Sequence, residues 1–141
     1  MQISRDKAKK YLAVLWFISA AVLFILLYLQ TILGHYEQNI DKVWGWFLPN
    51  ILPTLSLIVG VIVTDALAQT IKTEKIDRFV FLLAFGLSIT YLIVVLFTIV
   101  LQPMSPLPPL DLMSLANLWL GPFQGLVSAS LGAFFIQNQK N

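Results

Sequence analysis

The 141-residue sequence has no cysteine and a single histidine, His35. Without thiols there can be no disulfide, cysteine nucleophile, iron–sulfur cluster or cysteine-bound zinc, and one imidazole cannot build a bis-histidine haem or a histidine-rich metal site. His35 sits in a polar stretch, where such a ring is ordinarily solvated. No metal or other cofactor is expected. Charge is scarce as well: Asp, Glu, Lys and Arg make up 11% of the chain and hydrophobic residues 58%, whereas soluble domains carry about a quarter charged residues. An ordinary water-soluble domain is thereby excluded. Enzymatic activity is not expected, because the apolar stretches hold one carboxylate and no converging nucleophile, base or metal ligands.

What is present is long apolar runs. Four of them, at about 11–33, 49–71, 79–101 and 115–136, are each long enough at 1.5 Å per residue to cross a hydrocarbon core of about 30 Å. The first follows Arg5, Lys7, Lys9 and Lys10. Its length and lack of a small-x-small cleavage site make it a retained span rather than a signal peptide. Pro49 and Pro53 are placed in the first turns of the second span, where a missing N–H costs least. Gln102-Pro103 closes the third. The fourth begins between Ser114, an N-cap candidate, and Pro122, a candidate first helical residue or kink. The expected fold is an all-α integral membrane protein, a single four-helix up-down bundle over 1–141.

Topology follows from the basic residues. Arg5, Lys7, Lys9, Lys10, Lys72, Lys75, Arg78 and Lys140 share one side of a four-span chain, and only Lys42 lies opposite. Both termini and the turn 72–78 are therefore expected in the cytoplasm. The net charge of +2 is accounted for by topology, so direct nucleic-acid binding is not expected. Two outer loops remain, 34–48 and 102–114. The first ends in Trp44, Gly45, Trp46 and Phe47, aromatic rings suited to the headgroup layer. The second carries Pro103, Pro106, Pro108 and Pro109, a stiff segment whose outer location argues against polyproline recognition by cytoplasmic adaptors. Trp46-x-x-Pro49 and Trp119-x-x-Pro122 form a faint repeat, as a duplicated hairpin would leave.

Membrane helices associate through small residues and interhelical hydrogen bonds. Ser56, Gly60, Thr64 and Ala68 form one small-residue stripe, and Gly121, Gly125, Ala129 and Ala133 another, so both are candidate packing faces. Asn117, Gln124 and Ser128 fall on one side of the fourth helix with Gly121 and Gly132. Such a line either borders a water-filled path between copies of the chain or hydrogen-bonds within one bundle. Asp65 is the ionisable residue within a span and a candidate ion-attracting or proton-sensing group; its nearness to the inner face also allows an interfacial role, with Lys72 as a partner. Arg5, Lys7, Lys9, Lys10, Lys72, Lys75 and Arg78 are candidate contacts for anionic lipid or a cytoplasmic protein.

The leading functional expectation is a subunit of a homo-oligomeric channel or pore, since one small bundle cannot both pack and enclose an aqueous path. Short cytoplasmic segments imply regulation by a separate cytoplasmic partner or ligand, a layout that suits a bacterial membrane-depolarising effector. Absence of an Asn-x-Ser/Thr sequon is compatible with a bacterial inner membrane. The alternative is a membrane anchor or accessory subunit that positions a partner protein; a small transporter ranks below both.

Overall fold

In the computed structural model, residues 2–68 and 75–136 are described. Four helices dominate: α1 (Arg5–Ile32), α2 (Ile40–Ala68), α3 (Arg78–Leu101) and α4 (Pro109–Ile136). All four are long and apolar enough to cross a membrane. Each helix has 28–33% of its most apolar stretch buried, so most of the apolar side chains point outward. Ile18 is 60%, Leu118 69% and Leu67 78% exposed, a surface suited to lipid rather than water.

The helices run farther than hydropathy implies. α1 begins at Arg5, within the basic segment. α2 takes in Trp44, Gly45, Trp46 and Phe47, so these residues are helical instead of forming the end of an outer loop, and Pro49 and Pro53 lie inside the helix. Proline in a helix interior leaves the carbonyl four residues earlier without its usual partner. Phe47 and Trp46 are buried, and the carbonyl of Pro49, which Pro53 leaves without its helical donor, accepts from Gln124 Nε2 of α4. α4 starts at Pro109, where proline needs no N–H, and Pro122 falls in its interior. Hydropathy misses these turns because they are amphipathic: Met113 and Ala116 are buried while Asp111 and Ser114 face out.

The connection after α1 closes by glycine chemistry. Gly34 adopts φ 78°, its N–H bonds the Thr31 carbonyl at 3.1 Å, and the His35 N–H bonds that of Gln30 at 3.1 Å. That pairing is the Schellman motif, which satisfies the last carbonyls of a helix. His35 itself is exposed. Tyr36 is buried, and its hydroxyl donates to Gln30 Oε1. Burial pushes the Tyr36 phenol up to about 12.

At the opposite end lies a feature outside the all-α expectation. β1 (Gln2–Ser4) pairs antiparallel with β2 (Lys75–Asp77), with Ile3 opposite Ile76. The strands are too short to signal by alternation. Each leads directly into a helix, β1 into α1 and β2 into α3; the Asp77 carboxylate caps α3 by accepting from the Phe79 N–H at 3.0 Å.

α1 packs on α2 and α3, and α4 packs on α2 and α3. The parallel helices α1 and α3 are thus neighbours, as are α2 and α4. A two-fold axis through the bundle centre would put duplicated helices on diagonals, so this order does not match a simple repeat. The tryptophans of the faint repeat also differ, Trp46 being 7% and Trp119 51% exposed.

Candidate functional site

A polar cluster occupies the middle of the bundle. Asn50 and Thr54 are one turn apart on α2; Ser88 and Tyr91 are similarly placed on α3; Trp16 projects from α1. All five are buried. The Tyr91 hydroxyl donates to the Asn50 backbone carbonyl at 2.9 Å and to its Oδ1 at 3.1 Å. The first acceptor is the carbonyl that Thr54 would bond in a regular hydroxyl-to-i−4 contact. Asn50 Nδ2 in turn donates to the Trp46 carbonyl at 2.7 Å. The Tyr91 ring lies 6.0 Å from that of Trp16 on α1 and 6.0 Å from that of Phe123 on α4. Tyr91 therefore touches all three other helices. Trp16 Nε1, Thr54 Oγ1 and Ser88 Oγ make no hydrogen bond among the described residues. Buried polar atoms of this kind are costly in an apolar surround.

Closer to the aromatic end, α4 meets α2 through two further bonds. Trp46 Nε1 donates to Asn117 Oδ1 at 2.9 Å, and Gln124 Nε2 donates to the Pro49 carbonyl at 3.1 Å. Two of the three candidate pore-lining side chains thus have partners within the chain. Asn117 is nevertheless exposed, and Gln124 and Ser128 are half-buried, so the stripe follows the margin between the α2–α4 contact and the outer surface.

The small-residue stripes lie outside the bundle core. Ser56, Gly60 and Thr64 on α2 are exposed, as are Gly121, Gly125, Ala129 and Ala133 on α4; the Ala68 side chain is outside the described residues. A Cβ placed on Gly60, Gly121 or Gly125 would meet nothing within 4 Å. Close helix approach within one chain is therefore not what these glycines provide.

The basic end divides into inward and outward cations. Arg5 and Lys9, expected on the lipid or partner surface, turn inward. Arg5 is 6% exposed and Lys9 8%. Arg5 Nη2 donates to the Phe134 carbonyl at 3.0 Å and the Phe135 carbonyl at 3.4 Å, placing positive charge on the last turn of α4, where the helix dipole favours it. Lys9 Nζ lies 2.5 Å from Asp65 Oδ2 and 6.0 Å from the centre of the Phe135 ring. Asp65 thus pairs with a lysine of α1; Lys72 lies outside the described residues. The reason is helical reach: α1 extends to Arg5, so its basic residues run alongside α2 and α4 instead of preceding the bundle. Lys7, Lys10, Lys75 and Arg78 are exposed.

Comparison with protein-family models, curated proteins and solved structures found no match to this chain. Among the described residues, no group of three His, Asp or Glu side chains comes together as metal ligands. The most distinctive arrangement is therefore the α2–α4 side of the bundle, where bonded polar groups border exposed small residues. The sequence pattern identified Asn117, Gln124 and both small stripes; it missed Trp16, Asn50, Thr54, Ser88 and Tyr91. The spacings Asn50–Thr54 and Ser88–Tyr91, polar pairs one turn apart within apolar spans, were the signal available.

Proposed function

We propose that the chain is a membrane-spanning subunit of a homo-oligomeric pore, inserted with its basic end in the cytoplasm. The observation that carries this reading is the outward position of Gly121, Gly125, Ala129 and Ala133 on α4, the least apolar of the four spans. A surface of small side chains gains little from lipid but lets a second helix approach closely. Ser56, Gly60 and Thr64 extend that character to the neighbouring α2. Trp16, Tyr91 and Phe134 fill the centre of the single bundle, so a conducting path belongs between copies, bordered by Asn117, Gln124 and Ser128. Opening is assigned to a separate cytoplasmic partner or ligand acting on the basic end, and the cellular setting to a bacterial inner membrane in which opening would depolarise the cell.

The alternative, an anchor or accessory subunit, draws on a different observation. Trp46 and the Pro49 carbonyl already occupy Asn117 and Gln124, as befits a self-contained bundle that holds a partner. Ion flux from liposomes separates the two. Discrete conductance by the purified chain, altered by Asn117→Leu, supports the pore; a discrete oligomer that stays silent with candidate cytoplasmic partners present favours the anchor.

A further inference from the structure

Among the described residues, α1 borders a groove on each of two sides. One, with a volume of about 300 Å³, lies between α1 and α2 and is bordered by Phe24 and Phe47 toward the aromatic end. The other, of about 200 Å³, lies between the parallel helices α1 and α3 and is walled by Leu15, Ile18, Val22, Ile89, Ile93 and Leu96.

The second groove leads toward exposed cations. Along α1, Lys7, Tyr11, Leu15, Ile18 and Val22 follow at intervals of four, four, three and four, which is one helix face. Along α3, Arg78, Leu82, Phe85, Ile89, Ile93 and Leu96 keep the same rhythm. Lys7, Lys10, Tyr11 and Arg78 are all exposed. At 1.5 Å per residue, Leu15 lies about 12 Å and Val22 about 22 Å beyond Lys7. With the cations at the headgroups, that interval is the depth of one leaflet's acyl chains in a core of about 30 Å. The α1–α2 groove has Lys10 on its α1 face but the half-exposed Asp65 carboxylate at the basic end of α2, which opposes an anionic headgroup, whereas among the described residues the α1–α3 groove has a cation on each of its two helices.

We propose that the α1–α3 groove binds one anionic phospholipid of the leaflet at the basic end, with its phosphate against Lys7 and Arg78 and one acyl chain along Leu15, Ile18, Ile89 and Ile93. The inference rests on the membrane-spanning reading and is independent of pore formation. Lys and Arg supply charge-assisted hydrogen bonds to the phosphate, and the groove supplies chain contact that a headgroup-only attraction lacks.

The test is lipid retention by the full chain, reconstituted in vesicles of equal parts phosphatidylcholine and phosphatidylglycerol, re-extracted in mild detergent and analysed by native mass spectrometry. Wild type is expected to keep phosphatidylglycerol in preference to phosphatidylcholine. Lys7→Gln with Arg78→Gln should reduce that preference about thirtyfold, and Ile18→Trp, which fills the groove, should also reduce phosphatidylglycerol retention. Leu52→Trp in the α1–α2 groove and Lys7→Arg should both retain the lipid, which separates loss of the site from loss of the fold. No preference in wild type, full retention in Ile18→Trp, or equal loss in Leu52→Trp would overturn the proposal. A monomeric protein that keeps the lipid removes the pore reading and leaves this one standing.

Discussion

The side-chain amide of Gln124 on α4 donates to the backbone carbonyl of Pro49 on α2 at 3.1 Å. In a regular helix that carbonyl would accept from the residue four positions later. Here that residue is Pro53, which has no N–H. A break in one helix is thus repaired by a polar side chain of its neighbour, the manner in which membrane helices tolerate interior proline.

Gln124→Leu is therefore expected to destabilise the chain by about 1–2 kcal/mol. In a Pro53→Ala background, where the helical bond is restored, the same substitution should cost little. Unfolding midpoints of the four proteins in mixed micelles check this; an equal cost in both backgrounds would separate Gln124 from the proline.

Tyr91→Phe removes the donor shared by the two oxygens of Asn50 while keeping the ring against Trp16 and Phe123. Interhelical hydrogen bonds in membrane proteins are worth about 0.6 kcal/mol on average and up to about 1.7. A loss in that range is expected for Tyr91→Phe. Tyr91→Ala also opens a cavity and should cost about 3–5 kcal/mol, by analogy with other large aromatic truncations.

Lys9 and Asp65 join the basic ends of α1 and α2. Because Lys9 is buried and the Asp65 side chain is 51% exposed, removing the carboxylate strands a buried cation, whereas removing the lysine leaves a carboxylate able to reach the interface. Asp65→Asn should be more destabilising than Lys9→Gln, and the double variant should recover part of the loss. A double-mutant cycle in the unfolding assay reads the coupling, expected at about 1 kcal/mol. Cation preference unchanged in Asp65→Asn would accompany this structural role.

Tyr36 gives a pH signature at the aromatic end. Its neutral phenol is favoured in the folded state, with the pKa raised to about 12 against about 10 for an unfolded tyrosine. Below pH 10 the contribution is fully present, and stability should fall as pH rises from about 10 to about 12, since the unfolded chain releases the proton first. Tyr36→Phe should remove this component from the stability–pH curve.

The number of long apolar helices and the gathering of cations at one end were legible in the sequence, because both arise from composition along the chain. Helix ends were not. Trp46 and Met113 bury one face of an amphipathic turn, which average hydropathy reads as loop, and three-residue strands such as Gln2–Ser4 carry too little pattern to declare their pairing. The stripe from Asn117 to Ser128 followed from helical spacing alone. Its partners Trp46 and Pro49 did not, since they depend on α2 and α4 lying side by side. Likewise, glycines at four-residue intervals mark a face for close approach, but only the packed helices place Gly121 and Gly125 on the outside.

Gly125 offers the most direct test of the proposed assembly. It is exposed, and a Cβ added there would meet nothing within 4 Å, so Gly125→Leu should leave the single bundle intact. The decisive measurement is the lipid-corrected mass of wild-type and Gly125→Leu protein in nanodiscs or mild detergent, by light scattering. A discrete oligomer for wild type that falls to a monomer in the variant, with helicity unchanged, is the predicted result. A wild-type monomer, or the same oligomer in both proteins, would contradict assembly through this face of α4.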